Sequence, residues 1–273
     1  MPTHVDHDRT VALLATTWSA IVELHRRFDE ATYDLPTCCP GWTVRDQLAH
    51  LTATERSLTG EPVPDHDVAG VEHVRNDIGV LNERWVQDMR PLPGAEVLEI
   101  FRRVTETRLG ALRAMSQADF DAPSWTPAGP DETYGRFMRI RHYDGFTHEH
   151  DTREAVGAPF RNEPAVIASC LEETATALGY VVGRRAAIPE GNRVRIELTG
   201  PVPTTYLLEV TDRARLVDEL ADDPTVGLRL PTHLFLRLTA GRRDAAPHLG
   251  AEIELTGDEE LARRLAENLA FTI

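Results

Sequence analysis

The sequence predicts an α+β protein, with a helical bundle over residues 1–162 followed by a small α/β domain over residues 163–273. In the first two-thirds of the chain, apolar residues recur at helical spacing. In the last third, apolar and polar residues alternate in short runs that are typical of strands. The 273 residues suffice for two domains of ordinary size. A hydrophobic fraction of 41% and a charged fraction of 27% are those of a folded chain.

The helices of the first part are predicted from their periodicity and from their end signals. They are expected over residues 9–30, 43–58, 74–90, 94–116 and 133–156. The second begins at Thr43, where Asp46 takes the place of the usual Glu or Gln of a capping box. The last ends at Gly157, a typical residue at a helix C-terminus. A loop rich in Pro, Asp and Gly is expected over residues 119–132.

The second part opens with a predicted helix over residues 164–183. Strands and helices then alternate to its end. The expected strands cover residues 193–199, 205–211, 224–230 and 251–256, and the expected helices cover residues 232–240 and 258–270.

The charge excludes several classes of partner. A formal net charge of −15 repels a phosphate backbone, so we expect no nucleic-acid partner. No polybasic run suggests an anionic membrane surface. All basic residues are arginines. Without a lysine, a Schiff-base enzyme and a phosphate-binding loop with its lysine are both excluded.

The termini and the cysteines predict a cytoplasmic protein without a membrane segment. The N-terminal residues lack the apolar stretch of a secretory signal. We find no run of about 18 apolar residues, the length that a membrane span needs. The three cysteines, Cys38, Cys39 and Cys170, do not make a disulfide framework and are expected to be reduced thiols.

The helix over residues 133–156 carries the candidate chemistry. A rotation of 100° per residue places Asp144, His148 and Asp151 within about 40° of one line on its surface. Residues four apart approach to within about 6 Å, so Asp144 and His148 can reach one ion. His142, Glu149 and His150 are competing ligands, but the last two point away from His148.

A third ligand has to come from another helix, and His50 is the candidate. It lies on the flank of the apolar face of its helix, so periodicity alone does not direct it inward. Two histidines and a carboxylate are typical of catalytic zinc sites, and they also suit iron or another transition metal. The alternative is that Asp144 and His148 form an ordinary ion pair, with Arg141 neutralising Asp144 and His50 packed in the core.

Two segments resemble the signature of the mycothiol-dependent maleylpyruvate isomerase family, within the DinB-like superfamily. They are Cys39–Leu51 (CPGWTVRDQLAHL) and Arg141–Gly157 (RHYDGFTHEHDTREAVG). The weaker segments Leu238–Arg242 and Leu255–Ala262 resemble the second domain of that family, which is similar to sterol-carrier-protein folds. The resemblance covers nearly the whole chain.

The resemblance implies a DinB-type four-helix bundle that holds one divalent metal, usually Zn²⁺, through His50, Asp144 and His148. Some members have Glu where this chain has Asp144, which is one methylene shorter. The implied cosubstrate is mycothiol, whose thiol loses its proton on the metal. Its thiolate either adds reversibly to a double bond, which allows cis–trans isomerisation of the maleylpyruvate type, or displaces a leaving group in an S-transfer.

Further roles follow from the same resemblance. Asp151 would orient a ligand or a water. Glu55 is a candidate to support the site for a different reason, because helical spacing places it on the apolar line of its helix. Arg242 or Arg243 would bind a carboxylate of the substrate, although both also fit surface arginines after a turn. Cys39, in a turn, fits a packing role better than that of a nucleophile.

Fold and family do not fix the substrate, so other functions stay open. The expected partner is a small-molecule electrophile, with a carboxylated one as an option, and the protein is expected to be a monomer or a dimer. One alternative is a metal-dependent hydrolase, in which the metal activates water. The other is a non-catalytic stress protein that binds metal or ligand.

Overall fold

The computed structural model describes residues 3–272 and divides into two compact units, Met1–Arg161 and Asn162–Ile273. The first unit is mainly helical, and the second combines helices with a five-stranded sheet. The predicted fold class, a helical bundle followed by a small α/β part, is therefore confirmed. The predicted division falls one residue later, and its interpretation as two separate domains stays a prediction.

Four long helices form a bundle in the first unit. The helices of this unit are α1 (His7–His25), α2 (Glu30–Tyr33), α3 (Val44–Leu58), α4 (Asp77–Met89), α5 (Gly94–Ala114), α6 (Gln117–Phe120) and α7 (Tyr134–Ala155). Helices α1 and α3 each pack against both α5 and α7, and α4 packs against α3. Leu14, Leu48 and Phe101 are completely buried in the core of this bundle.

Local signals explain where these helices begin. Thr43 and Asp46 exchange both hydrogen bonds of a capping box at the start of α3, as predicted. The first helix, however, ends at His25 and does not continue to residue 30. Asp29 accepts a hydrogen bond from the Thr32 amide and starts the separate helix α2, so the local cap overrides the helical periodicity.

The loop predicted over residues 119–132 is largely ordered structure. Helix α6 is capped by Ser116 and Asp119, and two antiparallel strands follow, β1 (Pro123–Thr126) and β2 (Gly129–Thr133). The prediction was wrong because turn residues dominate the segment and hide two short strands.

The sheet of the second unit has the order β5-β4-β3-β6-β7, in which only β3 and β6 are parallel. Its strands are β3 (Arg193–Thr199), β4 (Thr204–Val210), β5 (Ala214–Val217), β6 (Val226–Pro231) and β7 (Glu254–Gly257). Its helices are α8 (Pro164–Tyr180), α9 (Thr232–Thr239) and α10 (Glu259–Glu267). A π-helical turn, Val181–Arg185, continues α8. The sequence did not predict β5, which has only four residues.

One segment of the described residues is long and apolar enough to cross a membrane by length and composition, namely Pro164–Arg185. The sequence predicts no membrane-spanning segment, and this one is not an unbroken apolar run, because Glu172 and Glu173 interrupt it. Within the second unit, 56% of its apolar window is buried. The core helix of a globular unit meets the same criterion, since burial and membrane insertion both favour apolar side chains.

Candidate metal centre

Helices α3 and α7 bring together the three residues that the sequence predicts as metal ligands. His50 Nε2 lies 3.3 Å from Asp144 Oδ2, and His148 Nε2 lies 3.4 Å from Asp144 Oδ1. One ligand atom from each of the three residues lies within 4.8 Å of the other two. The two histidines thus approach the two oxygens of a single carboxylate.

The dimensions and burial of this cluster fit a divalent cation. Zinc binds imidazole nitrogen and carboxylate oxygen at about 2.0–2.2 Å, so a small contraction of the cluster would place all three donors on one ion. Both histidine residues are buried, whereas 26% of the Asp144 side chain is exposed. The cluster therefore has access to solvent on the side of Asp144.

The orientation of the His148 ring is fixed by the partners of Nδ1, the ring nitrogen that does not face Asp144. Its Nδ1 lies 2.5 Å from Gln47 Oε1 and 3.1 Å from Asp151 Oδ2. Both partners accept a hydrogen bond there, so Nδ1 carries the proton and Nε2 is available as a ligand. His50 lacks such support, because its Nδ1 is buried and has no hydrogen-bond partner.

The charges of the cluster act on each pKa. Burial would raise the pKa of Asp144, but Arg141, His50 and His148 hold it well below its usual range, so this residue is a carboxylate. Burial would lower the pKa of His148, but Asp144 and Asp151 raise it. Burial lowers the pKa of His50 in spite of Asp144.

An arginine network adjoins the cluster. Arg141 donates to Asp144 Oδ2 at 2.5 Å and to Glu55 Oε1 at 3.0 Å. Arg108 donates to the other oxygen of Glu55 at 3.0 Å. Glu55 thus contacts the cluster only through Arg141. The contact between Arg141 and Asp144, which the ion-pair alternative requires, is present and competes with a cation for the carboxylate.

The competing ligands on α7 are directed elsewhere. Glu149 accepts hydrogen bonds from Arg153 and Arg161. His150 Nδ1 donates to the carbonyl of Phe146. Burial, helped by neighbouring arginines, lowers the pKa of His142 to about 3. Among residues 3–272, this side chain is not one of the candidate metal ligands.

The proposed substrate-binding arginines lie in the second unit, just after α9. Arg242 is partly buried and donates from Nη1 to the carbonyl of Ala240 at 2.9 Å. Arg243 is exposed. Their role in binding a carboxylate stays a prediction.

Three further residues at the cluster were not recognised from the sequence. The Trp42 ring centroid lies 5.2 Å from that of His50 and 6.1 Å from that of His148, so the indole covers both imidazoles. Gln47 contacts His148, and its position three residues before His50 on α3 was a usable signal. Cys38 lies beside Asp151, together with Cys39, and no local pattern indicates this contact.

Comparisons with known proteins identify the family and the fold of the chain. The family model for the mycothiol maleylpyruvate isomerase N-terminal domain matches residues 14–153, which include His50, Asp144 and His148. A crystal structure of the mycothiol-dependent maleylpyruvate isomerase is similar in fold, with a TM-score of 0.60 and 15% identity over 94% of this chain and 96% of that one.

A histidine-to-alanine mutant of the mycothiol-dependent maleylpyruvate isomerase aligns over the same shares of both chains, with a TM-score of 0.55 and 15% identity. At this identity the two structures support the fold alone. A search of curated protein sequences finds no match.

Proposed function

We propose a function on the premise that the chain belongs to the mycothiol maleylpyruvate isomerase family, whose N-terminal domain model matches just over half of its residues. The protein would be a metal- and mycothiol-dependent enzyme that activates a thiol for addition to a small-molecule electrophile. The convergence of His50, Asp144 and His148 on one point carries this proposal.

His50, Asp144 and His148 would hold the cation, and we propose Zn²⁺ because two imidazoles and one carboxylate are typical of catalytic zinc sites. When bound, such a cation supplies a positive charge that stabilises a thiolate at neutral pH. Three protein ligands leave a fourth position for the thiol. The exposed part of Asp144 marks the side from which a small molecule would enter.

The other residues of the site would prepare these ligands. Gln47 and Asp151 keep the proton of His148 on Nδ1. Arg141, fixed by Glu55, keeps Asp144 ionised. Trp42 shields the imidazoles from water, which strengthens electrostatic interactions at the site. From the family resemblance alone, we also propose that Arg242 of the second unit binds a carboxylate of the substrate.

Two reactions are compatible with such a site. In the first, the thiolate adds to a conjugated double bond, the resulting single bond rotates, and the thiolate leaves again, which gives cis–trans isomerisation. In the second, the thiolate forms a bond to carbon while a leaving group departs with its electron pair, which gives S-transfer. The three cysteines are not in disulfides, which fits a reducing compartment such as the cytoplasm.

The first test is the metal content of protein purified without added metal. We expect the wild type to hold about one equivalent of zinc or another transition metal at His50, Asp144 and His148, and His148→Ala to lose that equivalent. His150→Ala is the matched control, because it also removes a buried imidazole from α7 but no candidate ligand. Absence of metal from the wild type would leave the arginine-neutralised ion pair as the better interpretation.

The second test is dependence on the thiol. Turnover of an electrophile should require added mycothiol and should be lost in His148→Ala. Turnover that is indifferent to mycothiol would favour a hydrolase, and metal binding without turnover of any electrophile would favour a binding protein.

A further inference from the structure

A second group of ligand atoms lies behind the histidine cluster. Cys38 Sγ is 3.2 Å from Asp151 Oδ1, and Cys39 Sγ is 3.3 Å from Asp151 Oδ2. The two sulfurs and a carboxylate oxygen lie within 4.8 Å of one another. Asp151 is completely buried, Cys39 is partly buried and Cys38 is exposed, so the group reaches the surface at Cys38.

The loop that carries the two cysteines is fixed by its own hydrogen bonds. The Trp42 amide donates to the Cys39 carbonyl, with Pro40 and Gly41 at the corners of the turn. Gly41 has a φ of 77°, as the third position of a type II turn requires. Thr37 Oγ1 accepts hydrogen bonds from the Cys39 amide and from Gln47 Nε2. The hydrogen bonds of this turn therefore fix the backbone that carries the two sulfurs.

The two oxygens of Asp151 have different neighbours. Oδ2 faces His148 Nδ1 at 3.1 Å as well as the Cys39 sulfur. Oδ1 faces the Cys38 sulfur. Asp151 can therefore hold the proton of His148 with one oxygen and bind a cation with the other. The donors differ in kind from those of the histidine cluster, because thiolates select soft cations and imidazoles suit borderline ones.

We propose that Cys38, Cys39 and Asp151 form a second cation site, specific for a thiophilic divalent ion such as Zn²⁺ or Cd²⁺. Binding would release the two thiol protons to solvent and leave the fourth position of a tetrahedral ion facing the surface. Two thiolates and a carboxylate carry three negative charges, against one for His50, Asp144 and His148. The second site should therefore retain a soft cation more firmly than the first. This proposal does not depend on the proposed reaction.

The test is a titration of the reduced full-length protein with Cd²⁺ alone. Bound cadmium is counted by equilibrium dialysis, and thiolate binding is followed by the ultraviolet thiolate-to-cadmium charge-transfer band. The wild type should bind about two equivalents, one of which produces the band. The double variant Cys38→Ser/Cys39→Ser should lose the band and one equivalent. Cys170→Ser, which removes a buried thiol of the second unit, should change neither quantity.

Two further variants separate this site from the histidine cluster. His50→Ala should lose one equivalent of cadmium and keep the band, so failure of the first site is distinguishable from failure of the second. Asp151→Asn should weaken binding in the band-forming site at least about tenfold, since loss of a ligand costs no less than loss of a ligand's partner. Circular dichroism verifies that each variant is folded. A wild type without the band, or a band that persists in the double variant, overturns the proposal.

Discussion

Helix α7 in the first unit and strand β3 in the second bury their side chains in opposite ways. Along β3, Val194, Ile196 and Leu198 are buried, while Arg195 between them is exposed. Helix α7 buries polar and charged residues on nearly every side. They are Arg139, Arg141, His142, Thr147, His148, Glu149, His150, Asp151 and Thr152.

The difference shows that apolar burial and buried charges contribute differently to stability in the two units. Burial of an apolar side chain is favourable wherever it is well packed. A buried charge is tolerated only beside a partner, and replacing such a pair with apolar residues often costs nothing. Alternation of apolar and polar residues is therefore sufficient to place the buried side chains of β3. The polar interior of α7 contributes little to stability for its size, which agrees with a role in binding a ligand.

The largest expected loss of stability follows from removing a buried charge that contacts α7. Glu55→Ala leaves the guanidinium groups of Arg108 and Arg141 buried without their shared carboxylate. We expect a loss of about 3–5 kcal/mol in the free energy of unfolding. Urea unfolding followed by tryptophan fluorescence measures it, because all four tryptophans, Trp18, Trp42, Trp85 and Trp125, lie in the first unit.

Glu99→Ala is the matched control for this prediction. Glu99 also pairs with an arginine, Arg102, but both side chains are about half exposed on α5. Exposed pairs contribute about 0–1 kcal/mol, so this variant should unfold almost as the wild type does. Equal losses in the two variants would mean that burial of Glu55 adds nothing.

The contrast also explains how much of the fold the sequence predicts. Strand β3 occupies the predicted residues 193–199. When one face of a strand is buried, only one register places all its apolar residues on that face, so the alternation specifies the strand. The predicted helix over residues 133–156 differs from α7 by one residue at each end. The short strands β1, β2 and β5 were missed because each has too few residues to show a clear alternation of apolar and polar side chains.

The candidate site was predictable only in part. Helical spacing alone brings Asp144 and His148 to one face, and the structure does place them there. His50 needed the family resemblance, since the pattern of its helix put it on a flank. The contact of Cys38 and Cys39 with Asp151 joins segments more than a hundred residues apart, and no local rule predicts how a turn packs on a distant helix.

The next prediction tests the apolar side of the comparison. Ile196→Ala removes a completely buried side chain from the centre of the sheet, and we expect a loss of about 2–4 kcal/mol. Hydrogen exchange of the amides in β3 measures the loss locally. Arg195→Ala, one residue away and exposed, should change exchange in β3 by about 0.5 kcal/mol or less. A comparable effect of both variants would contradict the assignment of the core to one face.

The last prediction concerns the dependence of stability on pH. Buried histidines occur only in the first unit among residues 3–272, and His25 at the end of α1 is one of them. Burial lowers the pKa of His25 from 6.5 to about 3. Below pH 6.5 the unfolded chain therefore gains a proton that the folded chain does not accept, and stability is lost as the pH falls towards 3.

His25→Leu should remove this contribution, which amounts to about 1.4 kcal/mol per pH unit between these two pKa values. The measurement is the free energy of unfolding of the first unit at several pH values, from tryptophan fluorescence. The ring of His25 packs 5.0 Å from that of Phe28 and 5.6 Å from that of Tyr33, so leucine keeps the contact apolar. If His25→Leu kept the full slope, the acid sensitivity would come from the other buried groups of the first unit, namely His142, whose pKa burial also lowers to about 3, and the paired carboxylates.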